Sequence, residues 1–209
     1  MNQDDFQTEP VPGLPERLPP GEHILWQGAP RVWALATQSL RLYWVAGWFL
    51  LIFGWRVVSG AAVMPWAQSV IAASFVLILG AIVCGLLFVI ALVQAKASLY
   101  TITNRRVVMR IGAALTMTLN LPFREINNAH LAVARDGTGT IAFEMKSRPS
   151  QLGYVVLWPH ARPGRLRQVE PALRCIAEPQ QVAAIFAQAA ETEISLPVIS
   201  RVPQSVAAE

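Results

Sequence analysis

The stretch VIAASFVLILGAIVCGLLFVIALV, Val70 to Val93, decides how this chain is read. It sits within the 39 residues between Arg56 and Lys96, which include no Asp, Glu, Lys or Arg. As a helix its 24 residues extend roughly 36 Å at ~1.5 Å per residue, enough to cross a hydrocarbon core of ~30 Å. A buried helix of a soluble domain rarely runs that long without a polar face, so the stretch reads as a transmembrane helix over about 69–93. A partner crossing precedes it over about 42–58, short and marked by Arg56 near its far end. Arg56 can snorkel to the outer head groups, with Trp55 and Trp66 in the aromatic belt there and Tyr43 and Trp44 on the inner side. The short connection Ser59–Gln68 holds Pro65, and the pair is expected to form a transmembrane hairpin.

Composition agrees. Of 209 residues 54% are hydrophobic and 14% charged, against about 25% charged in ordinary soluble domains. Charge is unevenly spread: residues 1–30 are net −4, residues 96–174 net +8 and the last 35 residues net −3. Near the hairpin, Arg31, Arg41, Lys96, Arg105, Arg106 and Arg110 lie on the terminal sides and Arg56 alone on the other. This asymmetry predicts an inner-membrane, multi-pass protein with both termini in the cytoplasm. The basic middle is then a cytoplasmic face and not a nucleic-acid surface. Cys84 and Cys175 fall in different regions and point to a reducing compartment, not to a disulfide framework.

The N-terminus has no positive segment followed by an apolar core, so it is not a secretory signal. Residues 1–30 are punctuated by prolines and read as an extended arm. Within it Ile24, Leu25 and Trp26 form a candidate docking segment, for the later domain or for the membrane surface. Residues 31–97 comprise the hairpin and an amphipathic entry helix, Arg31 to Leu42, expected to turn Val32, Trp33 and Leu35 toward lipid. Gly80, Ala81 and Gly85 form a small-residue strip that fits either hairpin packing or a partner helix, a homo-oligomer included. The membrane helices carry no Asp, Glu, Lys or His in their interiors, which disfavours transport and proton relay.

After Lys96 the period switches from helix to strand. Strand candidates are Leu99–Thr103, Arg106–Ile111, Leu115–Leu121, Ala129–Ala134, Thr140–Lys146 and Tyr154–Trp158, with Asp136-Gly137 as a hairpin turn. Pro179 then opens a helix with Val182, Ile185, Phe186 and Ala189 at i, i+3, i+4 and i+7. A small curved sheet closed by one C-terminal helix, over residues 98–195, is a pleckstrin-homology-like architecture. The tail 196–209 shows no pattern.

Catalytic motifs are absent from the sequence, with no GxSxG, GxxxxGK[ST], HExxH or GxGxxG. His23, His130 and His160 lack metal-ligand spacing. No catalytic, cofactor or metal site is expected. The candidate interaction residues, for an acidic protein surface or anionic lipids, are Arg105, Arg106, Arg110, Trp158, His160, Arg162, Arg165 and Arg167. The alternative is a solvated loop in which Trp158 fills the sheet core.

YTITNRRVVMRIGAALTMTLNLPFREI (Tyr100–Ile126), LWPHARPGRLR (Leu157–Arg167) and GLPERLPPGEHILWQGAP (Gly13–Pro30) resemble the PuhB family of photosynthetic-complex assembly proteins of phototrophic bacteria. From Tyr100 onward the chain also resembles bacterial pleckstrin-homology domains on small membrane proteins. The resemblance implies a non-enzymatic assembly factor in the photosynthetic, intracytoplasmic membrane. Its implied partners are reaction-centre subunits and core light-harvesting polypeptides. The competing reading is a general membrane-anchored pleckstrin-homology module in lipid or stress sensing.

Overall fold

In the computed structural model, which describes residues 13–14, 16–112, 116–146, 153–164 and 169–195, the arm and the later domain are one folding unit. Strand β1 (Ile24–Gly28) lies antiparallel beside β2 (Leu99–Thr103), with Gly28 opposite Tyr100. The whole helical hairpin is therefore an insertion between the first two strands of a sheet. β2 continues to β3 (Arg106–Ile111) and β4 (Met117–Pro122), giving a four-stranded antiparallel sheet in sequential order. The docking segment thus docks as an edge strand. A 3₁₀ turn at Phe123–Glu125 leads into a second antiparallel sheet, β5 (Ile126–Val133), β6 (Thr138–Met145) and β7 (Ala172–Ala177).

Helix α1 (Val32–Ala34) runs into a π-helical turn, Leu35–Ser39, and the expected continuous entry helix stops there. Arg41 adopts the left-handed conformation at φ 58°, a state that disfavours any side chain with a Cβ. The turn buries Leu35 and Ala36 completely against the end of the second long helix, in clusters with Ala91, Ala95 and Cys175. Leu35 therefore packs inward and does not face lipid, whereas Trp33 stays 55% exposed. The apolar burial compensates for the unfavourable backbone state.

Helices α2 (Leu42–Ala61) and α3 (Trp66–Lys96) are both long and apolar enough to cross a membrane, with mean hydropathy 1.4 and 3.2. They pack on each other where side chains are small. A Cβ on Gly80 would come within 2.8 Å of Phe49, and the Ser69 hydroxyl donates to the Val57 carbonyl at 2.7 Å. A Cβ on Gly85, by contrast, would meet nothing within 4 Å, and Ala81 is exposed, so only Gly80 of the predicted strip serves the hairpin. Arg56 lies over the Phe75 ring at 5.1 Å.

The expected strand at Tyr154–Trp158 is instead a single helical turn, α4 (Tyr154–Leu157). Its Leu157 is fully buried, and Trp158 is left 42% exposed, not in the core. The strand that completes the second sheet is β7, in a segment where the sequence pattern predicts none. Helix α5 (Pro179–Ser195) closes the domain as the 3.6-residue pattern requires. Phe186 inserts between Phe123 and Phe143, at centroid distances of 5.4 and 5.1 Å. Leu115 and residues 196–209 lie outside the described residues.

Candidate functional site: the hairpin–domain seam and the β5–α5 groove

Strand β7 carries a bulge: Thr140 of β6 faces both Arg174 and Cys175, and Cys175 takes φ 54°. A bulge redirects side chains, and here it delivers two of them to the seam between domain and hairpin. The Arg174 guanidinium donates to the Ala161 carbonyl (3.0 Å) and to Ser39 Oγ (2.8 Å) on the entry turn. The Cys175 carbonyl accepts the Arg31 amide at 2.9 Å. Gln38, from the same turn, donates to Asp136 (3.0 Å) and Thr138 (2.9 Å) at the β5–β6 turn.

His160 occupies the centre of the seam, 1% exposed. The Ser98 hydroxyl donates to the Gln94 carbonyl of α3 at 2.7 Å, so its oxygen accepts from His160 Nε2 at 3.1 Å. Nδ1 is then the acceptor for the Tyr100 hydroxyl at 2.5 Å, and that hydroxyl accepts the Arg174 amide at 3.4 Å. This chain of donors is self-consistent only for the neutral Nε2–H tautomer. Burial, reinforced by the Arg174 cation, lowers the His160 pKa from 6.5 to about 4. Burial likewise raises the Tyr100 hydroxyl and the Cys175 thiol above their ordinary ranges. Around His160 the seam is uncharged apart from Arg174, an arrangement suited to fixing the hairpin relative to the domain.

The residues singled out in the sequence are dispersed by this structure. His160 and Arg110 are buried and offer no surface. Arg106 grips the arm, its Nε and Nη2 bonded to the two Glu22 carboxylate oxygens at 2.8 and 3.1 Å. Arg162 is paired at 2.7 Å with Glu170, whose side chain is 2% exposed. Arg105 and Trp158 are exposed, while Arg165 and Arg167 lie outside the described residues. In the docking segment Trp26 packs on the core and Leu25 points out, 38% exposed.

A feature invisible in the sequence is a groove of about 390 Å³ between β5 and α5. Phe123, Ile126, Ala129 and Leu131 form one wall and Ala183, Phe186, Ala187, Ala190 and Ile194 the other; no charged residue lines it. β5 is an edge strand, its only sheet partner among the described residues being β6. A second groove of about 420 Å³, on the β1 side of α5, is more polar and includes His23 and Glu193.

Two antiparallel sheets capped by one C-terminal helix, with a helical hairpin inserted between the first two strands, define a pleckstrin-homology-like module carrying two apolar helices. The bacterial PH domain family matches residues 40–190, and the chain belongs to that family. It is also 42% identical over 215 residues to an "Uncharacterized 23.7 kDa protein in puhA 5'region" of Rhodobacter capsulatus, covering 100% of this chain and 98% of that protein. No solved structure matches significantly.

Proposed function

We propose that this protein is a membrane-anchored, non-enzymatic assembly factor for the photosynthetic reaction centre and its core light-harvesting complex, of the PuhB type. The observation that carries the reading is the full-length similarity to a protein of the puhA 5' region, a gene neighbourhood that hints at reaction-centre biology. The three segments that resemble the assembly family point the same way.

The architecture supplies a mechanism. The pairing of β1 with β2 supports a topology in which both ends of the hairpin emerge on one side of the bilayer. The excess of arginine and lysine on that side favours the cytoplasm. The seam around His160 and Arg174 then holds the domain at a fixed pose against the inner leaflet. Confinement to two dimensions raises the effective concentration of a weak binding face, so transient contacts with inserting reaction-centre subunits suffice.

The test is to inactivate the gene in its phototrophic host and to purify the tagged chain from mildly solubilised membranes. Loss of reaction-centre absorbance, with reaction-centre polypeptides co-purifying, is expected. Normal reaction-centre levels in the mutant would overturn the reading.

A further inference from the structure

We infer that the β5–α5 groove receives the extended segment that directly follows a transmembrane helix of the partner polypeptide, bound as an antiparallel strand on β5. The inference rests on the assembly-factor reading and specifies the partner element it engages.

Direction is the first argument. The β5–β6 turn is bonded through Asp136 and Thr138 to Gln38, four residues before α2 begins, so the Val133 end of β5 lies beside the hairpin. At the other end Arg124 pairs with Glu193 near the end of α5, at 3.5 Å. Helix α5 starts beside the same turn, where a Cβ on Gly139 would strike Pro179. Strand and helix thus form two walls of a channel that leads away from the membrane surface.

The edge of β5 is the second. The Ala134 amide bonds to Thr138 across the hairpin, whereas the Ala129 amide is held by its neighbour Asn128 Oδ1 at 2.9 Å. In an antiparallel ladder successive residues alternate between inner and outer bonding. Leu131 and Val133 therefore direct their N–H and C=O groups outward, and Ala129 its carbonyl, where an incoming strand would pair. Leu131, Val133 and Ile194 stay 43%, 48% and 60% exposed around this edge, and the lining, apolar apart from Asn127 and Asn128, favours an apolar segment.

β5 runs toward the hairpin, so an antiparallel strand runs away from it. Such a strand is the chain that leaves the bilayer at the C-terminal end of a helix. A segment that leads into a helix would have to bind parallel, the weaker arrangement.

The experiment uses the full chain in nanodiscs. The probes are fluorescent peptides of about 12 residues, long enough to span the edge of a strand, copied from the cytoplasmic segments preceding and following each transmembrane helix of the host's reaction-centre and core antenna polypeptides. At least one following segment is expected to bind. A187E, a change at an exposed position of the wall, should weaken it at least tenfold, whereas Q188E on the opposite groove should not. N-methylation of alternate peptide residues should also weaken binding at least tenfold, and methylation of the intervening ones should not. Binding by preceding segments alone, or binding indifferent to A187E, would overturn the inference. So would protection of β5 amides that grows with protein concentration, which would make the groove a contact between two copies. If no peptide binds while the chain still co-purifies with reaction-centre polypeptides, the groove assignment fails and the assembly role stands. If neither occurs, both fall.

Discussion

The Tyr100 hydroxyl lies 2.5 Å from His160 Nδ1, and through this contact the second strand of the domain is tied to the loop that reaches the end of α3. Two of the links that fix the hairpin to the domain meet at these two side chains. Ser98 links the imidazole to the last turns of α3, and Arg174 links the tyrosine to β7 and to the entry turn.

The seam should be acid-sensitive. The His160 pKa is lowered in the folded protein, from 6.5 to about 4, so the unfolded chain takes up the proton first. The His160 contribution is full above pH ~6.5, falls as pH drops toward 4, and levels off below that. The loss is on the order of 3 kcal/mol at ~1.4 kcal/mol per pH unit. Thermal unfolding of the detergent-solubilised chain between pH 7 and 4 should show this slope. His160→Asn, which cannot titrate, should flatten it.

Within the basic loop, Arg162 should be structural. Arg162→Ala removes a cation from the nearly buried Glu170 carboxylate and should cost about 2 kcal/mol, since the arginine itself is one-third exposed. If Arg165→Ala with Arg167→Ala lowers reaction-centre accumulation at normal protein level, those two arginines belong to the partner face.

Phe186→Asp should unfold the domain without preventing hairpin insertion. The ring packs between Phe123 and Phe143, and a carboxylate there has no partner, at a cost of several kcal/mol. Limited proteolysis in membranes should release the domain as small peptides while the hairpin stays in the pellet. Wild-type resistance would show that α5 does not close the sheets.

Hairpin topology makes a separate demand. Reporter fusions at Ala62, between α2 and α3, and at Glu209 should report opposite sides of the membrane. Equal signals would exclude the pairing of β1 with β2 across an inserted hairpin.

By itself the sequence determined the elements whose cause is local. A 39-residue span without charge specifies long apolar helices, alternation from Leu99 onward specifies strands, and the spacing of Val182, Phe186 and Ala189 specifies a helix with one buried face. Tertiary structure alone decided what depends on distant partners. Ile24–Gly28 becomes a strand only because β2, on the far side of the hairpin, offers it an edge. Tyr154–Leu157 reads as a strand from its apolar run, yet it folds as a turn that buries Leu157. His160 looks like part of a basic surface loop, but Ser98 and Tyr100 draw it inward, where burial keeps it neutral. The groove between β5 and α5 joins residues some 60 apart, and no periodicity in either segment reveals that the space between them stays open.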